Sequence, residues 1–109
     1  MKTVDIDKVK DGIKEIALRL GRADVLAVGL FGSLARGDFG DRSDIDVFVI
    51  TSKELPLEEQ HEFYRAFNKL IPQFKRDVTV LVYDLEAVKK VPTWQTLNML
   101  RDARFVYDR

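Results

Sequence analysis

Cysteine is absent from this chain of 109 residues, so disulfide bonds and thiolate zinc sites are excluded. Every apolar run is far shorter than a membrane span, and the charged opening residues 1–12 contain no apolar core of a signal peptide. Charge of one sign is not in excess, since 18 basic residues balance 18 acidic ones, and no overall positive field exists to attract nucleic acid. The composition predicts a cytoplasmic protein that binds neither membranes nor, directly, nucleic acid.

Histidine occurs once, at His61, and the phosphate-binding loop G-x-x-x-x-G-K-[ST] does not occur. His61 stands in a charged stretch that predicts an exposed helix face, so we do not expect it to act as a base. A hydrophobic fraction of 46% beside 33% charged residues is typical of a globular protein. The length predicts a single domain over residues 1–109.

Hydrophobic periodicity divides the chain into helices and strands. Apolar residues spaced three and four apart predict helices at Asp5–Leu20, Leu57–Leu70, Leu85–Lys90 and Thr93–Ala103. Short β-branched runs predict strands at Val25–Phe31, Val47–Ile50, Asp77–Tyr83 and Arg104–Tyr107. The first strand is apolar on both faces and is expected to be central. Pro72 is expected to close the second helix.

The stretch Gly32–Asp46, GSLARGDFGDRSDID, joins the first two strands and contains the residues of greatest chemical interest. Asp44 and Asp46 are separated by one residue, so their carboxylates point to the same face of a strand and repel each other. Hard divalent cations such as Mg²⁺ prefer such oxygen ligands. Taken alone, the pair is equally consistent with a solvated acidic strand end.

Gly32 and Ser33 follow the first strand directly. A glycine lets the backbone approach a ligand closely, and Ser33 stands where a short helix can begin with its N–H groups toward an anion. The pair therefore predicts a phosphate site, which is compatible with Ser33 as a simple helix N-cap. Arg36 and Arg42 could contact a triphosphate or pair with nearby aspartates, and the sequence does not decide between these roles.

Gly-Ser, then ten residues, then Asp-x-Asp resembles the signature of the nucleotidyltransferase superfamily that includes DNA polymerase beta and kanamycin nucleotidyltransferase. GSLARG followed by SDIDVFV is most similar to the minimal nucleotidyltransferases (MNT domains), many of which pair with a helical HEPN protein as toxin–antitoxin systems. The resemblance implies an α+β fold, in which a small mixed β-sheet has helices mainly packed on one face.

The resemblance also implies a third carboxylate on a neighbouring strand, for which Asp77 is the candidate. Strand alternation places Asp77 and Thr79 on one face and Val78 and Val80 on the other. If the aliphatic faces of both acidic strands pack against helices, the three aspartates lie together on the opposite side. The alternative is that Asp77 is only a turn residue.

The implied reaction is transfer of a nucleoside monophosphate, AMP from ATP or its equivalent from another NTP, to a hydroxyl with release of pyrophosphate. Asp44 and Asp46 would hold two Mg²⁺ ions, and Asp77 the one at the attacking hydroxyl. Gly32 and Ser33 would carry the triphosphate.

The acceptor is expected on another chain, because the catalytic scaffold consumes almost the whole sequence. A homo-oligomer or a HEPN-type protein would supply it, and the resemblance favours modification of a HEPN toxin by this chain as antitoxin. Two alternatives stay open. One is a non-catalytic module that binds or scaffolds a HEPN-type partner, and the other is transfer to a small molecule such as an aminoglycoside.

Overall fold

The computed structural model describes residues 5–32, 44–90 and 104–108. Four strands form one sheet in the order β3-β2-β1-β4. They are β1 (Val25–Phe31), β2 (Ile45–Thr51), β3 (Val78–Asp84) and β4 (Arg104–Asp108). β1 is antiparallel to β2 and β4, whereas β2 and β3 are parallel. The predicted mixed sheet and the central position of β1 are confirmed.

Four helices are described around this sheet. They are α1 (Ile6–Leu20), α2 (Leu57–Phe67), α3 (Leu70–Phe74) and α4 (Leu85–Lys90). The Asp5 side chain caps α1 by accepting hydrogen bonds from the N–H groups of Asp7 (3.0 Å) and Lys8 (3.3 Å). Gly21 ends the same helix in the left-handed conformation, at φ 56°. Both ends agree with the sequence prediction within one residue.

The main core lies between one face of the sheet and helices α1 and α2. Alternate residues of β2 point into it, and so do residues at helical spacing on α1. Its buried strand residues include Ile45, Val47, Val49 and Val80, and its buried helix residues include Val9, Ile13, Ala17, Phe63 and Phe67. The opposite face of β2 contributes Phe48 and Ile50 to a smaller cluster with Ala27. The expected separation of two strand faces, with helices mainly on one, is confirmed.

The prediction for the second helix was wrong at its end. The helix stops at Phe67, and Pro72 lies inside the first turn of α3. Proline has no N–H to donate to the carbonyl four residues earlier, that of Asn68, which accepts the Ile71 N–H instead at 3.0 Å. The missing donor therefore interrupts the helix before the proline, whereas the first turn of a new helix tolerates it.

Other boundaries differ by only a few residues. β2 begins two residues earlier than the predicted Val47, and β4 ends one residue later than Tyr107. Asp84 ends β3, and its carboxylate accepts a hydrogen bond from the Ala87 N–H at 3.2 Å, as expected of a residue that caps the next helix. The helix predicted at 93–103 lies outside the described residues. In the described part of the chain no helix has the length and apolarity to cross a membrane.

Candidate active site

The three candidate aspartates lie at the start of two neighbouring parallel strands. β2 and β3 pair Ile45 with Val78 and Asp46 with Thr79, and the Ile45 N–H donates to the Asp77 carbonyl at 2.8 Å. The same register sets Asp44 opposite Asp77, one step further out. Neighbouring strands are about 4.8 Å apart. The backbone therefore brings all three aspartates to one end of the sheet, where β2 and β3 begin. They share the face that is opposite the main core.

Gly32 borders this face, because Phe31, the last residue of β1, pairs with Asp46 of β2. The chain leaves β1 at Gly32 with φ 75°, a left-handed backbone conformation that residues other than glycine rarely adopt. A Cβ on Gly32 would lie 3.2 Å from the Asp46 Cγ and closer still to Oδ2. The Asp46 carboxylate thus packs directly against the glycine backbone, and no larger residue fits there without displacing it.

The side chains of the candidate aspartates are not gathered into a metal site among the described residues. Among the described residues, no group of three or more His, Cys, Asp or Glu side chains is arranged to hold a metal ion. Asp44 and Asp77 are exposed, while Asp46 is half-buried against Gly32. Ser33, Arg36 and Arg42 lie outside the described residues, so their proposed phosphate contacts stay predictions.

Further along β2, the face that carries the aspartates becomes apolar. Phe48 follows Asp46 at two residues along β2, is fully buried, and contacts Phe31 with ring centroids 6.3 Å apart. Thr79 pairs with Asp46 across the sheet and is exposed. On this face, carboxylates and one hydroxyl therefore lie at the start of β2 and β3, and buried aromatic side chains lie next to them. Sequence alternation placed Thr79 on this face but assigned it no role.

A charged cluster that sequence reasoning missed lies at the opposite end of the sheet. Arg22 contacts both Asp24 carboxylate oxygens, at 3.0 Å and 2.8 Å, and reaches Glu59 (2.8 Å) and Glu62 (2.9 Å) on α2. Its guanidinium also lies 5.6 Å from the Phe63 ring centroid. The cluster fastens the beginning of β1 to α2. No local pattern indicates the contacts with α2, since Glu59 and Glu62 are 37 and 40 positions from Arg22.

These contacts shift the ionisation of the cluster in a consistent direction. The hydrogen bonds from Arg22 lower the pKa of Asp24, and this effect outweighs the raising effect of its partial burial. The same bonds, with those to Glu59, raise the pKa of Arg22. Both groups therefore stay charged at neutral pH, which fits a structural ion pair rather than a proton-transfer site.

The sequence model of one protein family matches most of the chain. The family "Polymerase beta, Nucleotidyltransferase" matches residues 12–109. A Methanocaldococcus jannaschii protein assigned as a protein adenylyltransferase, MJ0141, is 30% identical over 79 residues, which are 72% of this chain and 78% of that protein. The family match includes the whole of the described sheet and every candidate site residue named above.

Solved structures of similar fold agree with this assignment. One belongs to a toxin–antitoxin pair with AMP-PNP (TM-score 0.66, 20% identity, 92% of this chain and 73% of that one). Another is a tri-AMPylated Shewanella oneidensis HEPN toxin in complex with its MNT antitoxin (TM-score 0.62, 19% identity, 96% of this chain and 74% of that one). Together with the family match, they confirm the predicted fold and enzyme class. The chain belongs to the polymerase beta nucleotidyltransferase family and is a nucleotidyltransferase.

Proposed function

We propose that this protein transfers AMP from ATP to a hydroxyl group of a partner protein. The observation that carries the proposal is the placement of Asp44, Asp46 and Asp77 on one face, at the start of adjacent parallel strands and beside the Gly32 turn. Carboxylates brought close together favour the binding of a cation, and a glycine turn lets phosphate approach the backbone.

The donor set fits a hard divalent cation such as Mg²⁺. Asp44, Asp46 and Asp77 all offer carboxylate oxygens, the ligands that Mg²⁺ takes together with substrate phosphates. The exposed side chains of Asp44 and Asp77 change rotamer on the picosecond to nanosecond scale, so nothing in their packing prevents them from gathering on a bound ion. When bound, two Mg²⁺ ions supply neutralisation of phosphate charge and activation of the acceptor hydroxyl.

The chemical step would break a phosphoanhydride bond of ATP and form a phosphodiester bond to the acceptor. The acceptor oxygen forms a bond to the α-phosphorus of ATP, and the bond from that phosphorus to the bridging oxygen of the β-phosphate breaks. Pyrophosphate leaves with the electron pair. An Asp77 carboxylate oxygen would accept the proton of the attacking hydroxyl. Gly32 and Ser33 would hold the triphosphate in line with this attack.

The relatives support AMP as the transferred group and a HEPN-type protein as its acceptor. The M. jannaschii relative is assigned as a protein adenylyltransferase. A structure of the same fold contains AMP-PNP, and another pairs an MNT antitoxin with an AMPylated HEPN toxin. By this proposal the chain acts as an antitoxin that inactivates its partner by adenylylation.

The test is a transfer assay with two ATP labels. The tagged chain is purified from its own cells with its copurifying protein, then incubated with Mg²⁺ and either [α-³²P]ATP or [γ-³²P]ATP. We expect the partner to acquire label from the first nucleotide only, because nucleotidyl transfer retains the α-phosphate and releases the γ-phosphate.

Three variants decide whether the site performs this transfer. Asp44→Asn and Asp46→Asn should abolish labelling, whereas Asp11→Asn, a change at an exposed aspartate of α1, should not alter it. Equal labelling by the Asp44 and Asp46 variants would remove the catalytic assignment. A stable complex with no labelling by the unmodified chain would favour a binding module instead.

A further inference from the structure

Thr79 is the residue of β3 most open to solvent. It is exposed, whereas the rest of the strand Val78–Asp84 is buried or half-buried. It pairs with Asp46 and lies two residues after Asp77, so its side chain shares their face. A threonine hydroxyl both donates and accepts hydrogen bonds. The reaction described above leaves this hydroxyl without a task.

Different residues lie on the two sides of Asp46, toward β1 and toward β3. Gly32 lies on the β1 side of Asp46, and Thr79 lies on the β3 side. With the triphosphate at Gly32, pyrophosphate leaves toward β1, and in an in-line displacement the incoming oxygen arrives from the opposite side. That side is β3, which is an edge of the sheet formed by the described strands. A macromolecular acceptor can therefore approach over β3 without crossing the nucleotide.

We propose that Thr79 is an acceptor-positioning residue, whose hydroxyl hydrogen-bonds the hydroxyl-bearing segment of the partner protein and not the nucleotide. The inference rests on the proposed function, because it takes the phosphate site to be at Gly32. A purely structural role is the competing explanation, since β-branched threonine also suits an exposed strand position. The two roles separate in the acceptor kinetics of isosteric variants.

The first experiment measures whether the bound nucleotide covers position 79 or leaves it open to the partner protein. Because the chain has no cysteine, Thr79→Cys introduces a single thiol, and Ser52→Cys introduces one at an exposed position at the far end of β2. Each is labelled with a maleimide, with and without Mg²⁺ and α,β-methylene-ATP. Binding of the analogue is followed separately by the melting temperature. We expect both thiols to react at rates that change less than about twofold, since a ligand shields only the surface that it covers.

Protection of the thiol at position 79 by more than about tenfold would place it under the nucleotide and overturn the inference. If the unmodified chain shows no melting shift with the analogue, the proposed function fails instead. Once labelled at position 79, the chain should keep its melting shift but lose transfer to the copurified partner, whereas labelling at position 52 should affect neither.

The second experiment measures the role of the hydroxyl. In the transfer assay with the copurified partner, Thr79→Val should raise the KM for the partner by about three- to tenfold, the effect of one lost hydrogen bond. The KM for ATP should not change, and Thr79→Ser should restore the wild-type value. An unchanged partner KM in the Val variant would mean that the residue only supports the strand.

Discussion

The carboxylate of Asp46 occupies the space that a side chain on Gly32 would need. The two residues are separated by a connection of thirteen positions in the sequence, yet the antiparallel pairing of β1 with β2 brings them into contact. The candidate phosphate turn and a candidate metal ligand are thus one packed unit. A change at either residue should be felt at the other.

The first prediction concerns Gly32→Ala. The new Cβ must displace Asp46 and also tolerate φ 75°, which together should destabilise the fold by about 2–3 kcal/mol. Gly21→Ala is a matched control, because Gly21 also has a positive φ (56°) but its added Cβ would meet only carbonyl oxygens at 3.8 Å and 3.9 Å. Urea unfolding should show a loss of about 1 kcal/mol for the control.

The double variant Gly32→Ala with Asp46→Ala isolates the contact between the two residues. It should be more stable than the sum of the single changes implies, since the alanine at position 46 leaves room for the new Cβ. Strict additivity of the unfolding free energies would show that Asp46 does not occupy this space in solution.

The second prediction concerns the ion that the aspartates would hold. Mg²⁺ with α,β-methylene-ATP should raise the melting temperature of the unmodified chain, because a ligand that binds only the folded state stabilises it. Asp44→Asn and Asp77→Asn should remove this shift without lowering the metal-free melting temperature, since both side chains are exposed. Asp11→Asn is the control that should keep the full shift. A shift retained by the Asp77 variant would exclude that residue from the site.

The third prediction concerns Arg22. Arg22→Met should destabilise the fold by about 1–3 kcal/mol, because it strips the hydrogen bonds from Asp24, whose side chain is only 15% exposed. Arg19→Met breaks an ion pair with Glu15 of similar length, 2.7 Å, in which the side chains are 77% and 62% exposed. Urea unfolding of that variant should therefore differ from wild type by less than about 0.5 kcal/mol. Equal losses in the two variants would contradict a stabilising role for the Arg22 cluster.

The fourth prediction is a pH dependence. Arg22 lowers the pKa of Asp24 below its ordinary value of 3.8. The ionised carboxylate of Asp24 therefore stabilises the fold fully at pH values above that ordinary pKa. This contribution is lost as the pH falls from there through the lower pKa of the folded state. The unfolding free energy of the wild type minus that of Asp24→Asn should decrease on acidification below about pH 4. A difference that stays constant or grows in this range would show that the pKa is not lowered.

The fifth prediction distinguishes the two faces of the sheet. Phe48 and Phe63 are both fully buried, but Phe48 lies on the face of the aspartates, two residues after Asp46, and Phe63 lies in the main core. Phe48→Leu and Phe63→Leu should each destabilise the fold by about 1–2 kcal/mol. At a temperature where both variants are folded, only Phe48→Leu should slow AMP transfer, because only that residue supports the site. Equal transfer rates in the two variants would show that Phe48 does not position the aspartates.

Strand alternation predicted much of the fold and the placement of the aspartates. A period of two residues separates Asp44 and Asp46 from Ile45 and Val47 without knowledge of any contact. The same argument applied to β3 put Asp77 on the matching face, and the register confirmed that the strands are neighbours. Local pattern is sufficient here because successive residues of a strand point to opposite faces, whatever each face contacts.

Features that depend on long-range contacts could not be predicted. The packing of Asp46 against Gly32 needs the register of two strands, and the Arg22 cluster needs the position of α2 on the sheet. The predicted end of α2 is wrong because a proline does not only stop a helix but also fits the first turn of the next one, where Pro72 lies.

The central claim is that Asp44, Asp46 and Asp77 form one metal site beside Gly32. A crystal structure of the chain with Mg²⁺ and α,β-methylene-ATP measures this directly. We expect a carboxylate oxygen of each aspartate at about 2.0–2.1 Å from a bound ion, with the triphosphate against the Gly32 backbone. A nucleotide bound elsewhere, or ions coordinated without Asp77, would contradict the account.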